Sequence, residues 1–157
     1  MQSTAKAIGE LSNPNETPDF GEYIQQQEKL FEERFASKSR FSAVYIRYEI
    51  AKLMNDCLGV VRSEEKLTEG IDSVDYYLSI SEKLAYDPDV SPYMVYSLRP
   101  MLLLARAILT SALARRETRG AHIRTDYPQR SEEYASCSIC EYRDGEHCVS
   151  YKKEDEQ

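Results

Sequence analysis

The sequence predicts an all-α protein: an antiparallel three-helix bundle of the spectrin-repeat kind, with an extra helix ahead of it and a β-hairpin behind. Three observations carry this reading. Apolar residues recur at alternating spacings of three and four along three segments. Each segment is bounded by a Ser, Pro or Gly. The last stretch changes to β character around an Asp-Gly pair.

Residues 1–19 read as a flexible N-terminal segment, because Asn13-Pro14 and Thr17-Pro18 are turn pairs in polar surroundings. Residues 20–40 read as a leading surface helix, strongly charged, with Tyr23, Leu30 and Phe31 partly on one side. The bundle is expected over 41–130, and the hairpin and charged tail over 131–157.

In the first bundle helix, Ser42 to Leu58, the stripe is Ile46, Ile50, Leu53 and Cys57, and Gly59 ends it. Ser63 is then an N-cap, with Glu64 and Glu65 in the first turn, where negative charge is favourable. The second stripe is Leu67, Ile71, Val74 and Leu78, and the helix is expected to end near Leu84 or Ala85. Gly70 inside it costs roughly 1 kcal/mol relative to Ala. The stretch 86–90 is a loop. Ser91-Pro92 opens the third helix, with Ser as N-cap and Pro at the first helical position. Its stripe is Met94, Leu98, Met101, Ala105, Ile108 and Ala112, with a kink expected about Pro100. Gly120 is placed as the left-handed residue closing this helix, beside the cations Arg115, Arg116 and Arg119. Asp144-Gly145 predicts a type I′ hairpin turn, which pairs 141 with 148 and 140 with 149.

Composition narrows the function. The chain has 157 residues and a net charge of −7, with a pI near 5.0. That argues against a nucleic-acid binder, which needs a basic surface. No apolar run reaches the ~18 residues that suggest a membrane span; the longest, Met101 to Ala114, is interrupted by Arg106. No direct membrane insertion is therefore expected. The first twenty residues lack the pattern of a secretory signal, and the four cysteines fit a reduced cytosolic protein. No two of the six glycines lie at a G-x-G spacing, so the phosphate-cradling turns of dinucleotide-binding and P-loop proteins are missing. Two histidines leave little material for a catalytic triad or a His-rich metal site.

Three constellations remain. Arg115, Arg116, Arg119, Arg124 and Arg130, with His122, make a cationic run in an acidic chain. It reads either as an anion or docking site for an acidic partner, or as helix capping with internal pairing to Glu117 and Asp126. Cys137 and Cys140, with His147 and Cys148, have zinc-like spacing. The expected hairpin register points Cys140 and Cys148 to opposite faces, so structural or incidental thiols are the simpler reading. Tyr45, Tyr48, Tyr76, Tyr77, Tyr93 and Tyr96 are rim residues or part of an interdomain face.

The words of the arginine segment are specific. SALARRETRGAHIRTDYPQR resembles the C-terminal helical domain of the succinate dehydrogenase and fumarate reductase flavoproteins, a domain L-aspartate oxidase shares. The family's run is Ser-Ala-Leu-x-Arg-x-Glu-Ser-Arg-Gly-x-His followed by Arg-x-Asp-Tyr-Pro-x-Arg. Ser111, Ala112, Leu113, Arg115, Glu117, Arg119, Gly120, Ala121, His122, Arg124, Asp126, Tyr127, Pro128 and Arg130 match it. Met54 and Gly59-Val60-Val61-Arg62 resemble the end of the family's first bundle helix. The resemblance covers about residues 40–151, and Ala121 and Arg124 lean toward the succinate/fumarate branch. Thr118 replaces the family's Ser. Ser131-Glu132-Glu133-Tyr134 and the cysteine hairpin replace its paired aspartates, Trp and His-Thr-Leu strand.

The resemblance implies a piece of an FAD-dependent oxidoreductase acting on succinate or fumarate: a domain, a split subunit or a remnant. The FAD-binding and capping parts, with their catalytic residues, lie outside this chain, so no catalytic, cofactor-binding or metal residue is assigned here. The implied partners are the FAD-binding domain or subunit of the same enzyme and an iron–sulfur subunit, in the cytoplasm or peripheral to the inner face of the membrane. Arg115, Glu117, Arg119, Gly120, His122, Arg124, Asp126 and Arg130 are the expected domain-docking residues. The rival readings are a free-standing helical interaction module and a zinc-binding adaptor.

Overall fold

The computed structural model describes residues 20–36, 41–84 and 89–152; the expected segment 1–19, most of the loop 86–90 and the tail end 153–157 lie outside them. The chain is mostly helical and ends in an antiparallel strand pair. In order come α1 (Gly21–Ala36), α2 (Ala43–Cys57), β1 (Val61–Arg62), α3 (Glu64–Ser81), α4 (Pro92–Tyr96), α5 (Leu98–Ala114) and β2 (Ile123–Arg124). A 3-10 turn (Glu132–Tyr134), β3 (Cys137–Arg143) and β4 (Glu146–Lys152) follow.

The first two stripes pack as their spacing requires. Ile46, Ile50 and Cys57 of α2 and Leu67 and Val74 of α3 are buried in one core, with Leu53, Ile71 and Leu78 against it. Ser42 caps α2 by accepting from the Val44 N–H, and Ser63 caps α3 by accepting from the Lys66 N–H. Gly70 is buried where α2, α3 and α5 meet. A Cβ there would lie 3.1 Å from Cys57 Cβ and 3.2 Å from a Leu109 methyl. The close approach is what the helix gains from a poor helix former.

The third helix departs from expectation in four ways. It is two helices, α4 and α5, meeting at Ser97. The break falls three residues before Pro100, so the proline occupies the first turn of α5, where its missing N–H leaves no bond unmade. Its buried stripe is Val95, Leu98, Leu102, Ala105, Leu109 and Ala112. Met94 and Met101 are only half-buried and Ile108 is 40% exposed. Leu98, Ala105 and Ala112 are buried as predicted, while Val95, Leu102 and Leu109 take the places of Met94, Met101 and Ile108; MLLLARAIL is apolar almost all round, so spacing alone does not choose the face. Ser91 occupies the N-cap position without a side-chain cap bond. Finally, α5 ends at Ala114 with Arg115 as C-cap. Gly120 does have a positive φ of 58°, but it sits in a tight turn in which Arg119 and His122 exchange backbone hydrogen bonds of 2.9 and 3.0 Å.

Two smaller differences complete the picture. α3 ends at Ser81, short of Leu84, whose side chain is nevertheless buried. A parallel strand pair, β1 with β2, joins the α2–α3 link to the segment after α5, which an all-α reading did not contain. The hairpin keeps the predicted register, Glu141 opposite Cys148 and Cys140 opposite Val149. Asp144 and Gly145 both have positive φ, 52° and 88°, as a type I′ turn requires.

By length and composition Pro92–Ala114 could cross a membrane. Here it is broken at Ser97, one face packs in the core, and Arg106 in its middle is ion-paired to Asp75 at 2.6 Å.

Candidate functional site

The arginine segment folds back on the helix it follows. The C-terminus of α5 leaves carbonyls without helical partners. Arg124, ten residues past the end of α5, fills that gap: its Nη1 donates to the carbonyls of Ala112, Leu113 and Arg115 at 3.1, 3.1 and 3.2 Å. Its side chain is fully buried. The other edge of the guanidinium pairs with Asp126, Nε to Oδ1 at 2.8 Å and Nη2 to Oδ2 at 2.6 Å. Asp126 Oδ2 also accepts the backbone N–H of Glu64, the first residue of α3, at 2.9 Å. One ion pair thus places a cation on the negative end of α5 and an anion on the positive end of α3. The Arg124 guanidinium holds the Asp126 carboxyl well below the usual carboxylate range. The cations expected to cap α5 do not; Arg116 is exposed over the Tyr127 ring.

Glu117 is the second centre, fully buried. Its Oε1 accepts from Arg115 Nη1 at 2.7 Å and Arg119 Nε at 2.8 Å, and its Oε2 accepts the Ser131 N–H at 3.0 Å. Hydrogen bonding from Arg119, outweighing burial, lowers its pKa to about 2. Arg115 also donates to the carbonyls of Tyr134 and Ser136 at 2.7 and 2.8 Å, tying down the lead into β3.

His122 is the third. Its Nδ1 faces Arg62 Nη1 at 2.6 Å and its Nε2 faces the Arg115 carbonyl at 3.1 Å. A guanidinium only donates and a carbonyl only accepts, so the ring is neutral with its proton on Nε2. Burial, and then the charges of Arg62, Arg124 and Arg115, hold its pKa below the ordinary value, against the Arg115 carbonyl bond that raises it.

Of the predicted docking residues, then, Arg115, Glu117, Arg119, His122, Arg124 and Asp126 form one network, and Gly120 makes the turn between them. Arg130 is exposed and makes no ion pair among the described residues. Sequence reasoning missed Arg62, Thr118 and Arg106. The Thr118 hydroxyl lies between the Arg124 N–H at 2.9 Å and the Tyr127 carbonyl at 3.0 Å. Arg106 pairs with Asp75 at 2.6 Å, donates to His147 Nδ1 at 3.0 Å and reaches Glu146 at 3.4 Å, fastening the hairpin to α3 and α5. Only the position of Arg62 in the Gly-Val-Val-Arg stretch hinted at it.

Chemically this is a scaffold. Its two carboxylates are held ionised far below neutral pH, and its histidine spends both nitrogens on fixed partners, so none is poised for proton transfer near pH 7. Among the described residues no group of three His, Cys, Asp or Glu could hold a metal ion. In the hairpin Cys140 alternates to the face opposite Cys148.

The family model described as fumarate reductase flavoprotein C-term matches residues 47–156. An FAD-dependent oxidoreductase of Methanocaldococcus jannaschii is 26% identical over 121 residues, covering 76% of this chain and 22% of that protein. L-aspartate oxidase of Pyrococcus furiosus is 37% identical over 91 residues, 58% of this chain and 16% of that one. A Helicobacter pylori fumarate reductase flavoprotein subunit is 34% identical over 93 residues, 56% and 13%. An Escherichia coli quinol fumarate reductase chain shares the fold, with a TM-score of 0.72 at 21% identity over 96% of this chain and 27% of that one. The chain spans less than a quarter of the length of these curated relatives.

Proposed function

Because the chain belongs to the fumarate reductase flavoprotein C-terminal family, we propose that it serves as the non-catalytic helical part of an FAD-dependent oxidoreductase acting on succinate or fumarate. It packs on a flavin-binding domain or subunit, with an iron–sulfur subunit as a further neighbour. It works in the cytoplasm, or at the inner face of the membrane through those partners, and contributes to electron transfer by assembly alone. In this reading the helices α2, α3 and α5 are an antiparallel three-helix bundle, and the segment Arg115–Arg130 shapes the face that meets the flavin-binding part.

The observation that carries the reading is the match over residues 47–156, which includes every residue of the Arg124–Asp126 and Glu117 network. The residues described here do not fit FAD. Gly120 and Gly145 sit in two-residue turns and Gly70 is packed between helices, so these three offer no clustered amides to a pyrophosphate. An open cavity of about 580 Å³ is lined by Gln27, Glu28, Glu32 and Tyr96, two of them carboxylates. FAD therefore belongs to the partner in this proposal.

The test is co-expression with a flavin-binding chain from the source genome that ends ahead of a helical domain of its own. Co-purification in equal amounts with flavin bound to the complex is the expected result. A flavin-binding chain that is complete and active without this one, and ignores it, overturns the proposal.

A further inference from the structure

The parallel strand pair is inside out. Val61 of β1 stands beside Ile123 of β2, and Arg62 beside Arg124. The arginines turn inward: Arg124 is fully buried, and Arg62 reaches His122 and the carbonyls of Gly59 and Leu58. The aliphatic partners turn outward. Val61 is 55% exposed and Ile123 37%. A strand pair whose two faces are solvent and its own core puts the aliphatic residues in and the charges out. Here the opposite arrangement is fixed by the hydrogen bonds of the two guanidinium groups to His122, Asp126 and the carbonyls beneath them.

The edge of β1 adds a second, independent feature. Val60 O accepts from the Ile123 N–H at 3.1 Å and Arg62 O from the Thr125 N–H at 2.9 Å. Alternation then turns the N–H and C=O of Val61 to the other edge. No backbone hydrogen bond to them is found among the described residues. The edge of β2 is different, because the Thr118 hydroxyl covers Arg124 N and O.

We infer that the outer face and free edge of β1–β2, centred on Val61 and Ile123, form the surface that docks on the flavin-binding part of the enzyme. This rests on the function proposed above. Two arguments select that occupant. The same fold in the Escherichia coli chain is only 27% of its polypeptide, so a much longer stretch of protein adjoins it there. A second copy of this chain is a poorer fit: two aliphatic side chains fall far short of the roughly 800 Å² per partner that a stable symmetric interface buries. They suit one contact point in a larger interface, completed by an extended segment hydrogen-bonded along Val61.

The test compares wild type with Val61→Glu, Ile123→Glu and Val61→Thr, with Leu104→Glu as control, Leu104 being 61% exposed on α5. Each is co-expressed with the flavin-binding chain, and affinity is measured on the purified pair. Val61→Glu and Ile123→Glu are expected to weaken association at least about tenfold, Val61→Thr less, and Leu104→Glu not at all. Equal binding by all variants, or loss only in Leu104→Glu, overturns this surface and leaves the proposed function standing. Failure of the wild type to bind any flavin-binding chain overturns both, whereas self-association that Val61→Glu abolishes overturns this surface alone. Should the glutamate variants not fold, hydrogen exchange at the Val61 amide decides: slower exchange in the complex supports the inference and unchanged exchange refutes it.

Discussion

Arg124 and Asp126, two residues apart, clamp the C-terminus of one helix to the N-terminus of another: the arginine caps three α5 carbonyls, and the aspartate accepts the first N–H of α3. Arg124→Ala leaves those carbonyls and a paired carboxylate without their cation. A loss of about 3–5 kcal/mol is expected in urea unfolding. Asp126→Asn keeps the shape and one acceptor and should cost less. A double-mutant cycle checks the coupling; additive losses would mean that the two side chains act independently.

Acid should release the network in a definite window. The folded pKa of Glu117 is depressed, to about 2 from an ordinary 4.5, and that of Asp126 is depressed as well. The unfolded chain then binds more protons at intermediate pH, so the stabilisation is present above pH 4.5 and is lost as pH falls toward about 2. Unfolding midpoints measured across that range should fall steeply in wild type and less in Glu117→Gln, which starts from lower stability.

His122 should be neutral, with its proton on Nε2. Its folded pKa lies below the ordinary 6.5, so its contribution is full above that value and declines as pH drops beneath it. Nitrogen-resolved NMR of the ring checks both points. A proton on Nδ1, or a titration midpoint above the ordinary value, would break the Arg62–His122–Arg115 chain of contacts.

Gly70→Ala removes the roughly 1 kcal/mol helix penalty of glycine but sets a methyl 3.1 Å from Cys57 Cβ and 3.2 Å from Leu109. Overpacking of this kind typically costs about 1–3 kcal/mol, so a net loss of about 1 kcal/mol is expected in thermal unfolding. Leu109→Ala makes room and should shrink the difference between Gly and Ala at position 70. A Gly70→Ala variant more stable than wild type would show that the helices yield.

Local chemistry was legible in the sequence, and distant partners were not. Ser63, the α2 and α3 stripes and the Asp144-Gly145 turn depend on neighbours a few residues away, and the hairpin register follows from its turn. The β1–β2 pair joins residues about sixty apart, and the Arg124 cap reaches back over a turn, so no periodicity announces either. Gly120 is left-handed as expected, but α5 ends six residues sooner, at Ala114, where Arg124 caps its last carbonyls. In the arginine segment, internal pairing proved the right half of the two readings for Glu117 and Asp126. The outward Ile123 has no periodicity to mark it, because its partner Val61 is about sixty residues away.

The central claim is that this chain is a structural part of a flavoenzyme and has no active site of its own. The direct measurement is flavin content and succinate–fumarate turnover of the purified chain, alone and then with its flavin-binding partner. Alone it should be colourless and inactive, with flavin and turnover appearing only in the complex. Stoichiometric flavin on the isolated chain, or fumarate reduction by it, would contradict the account.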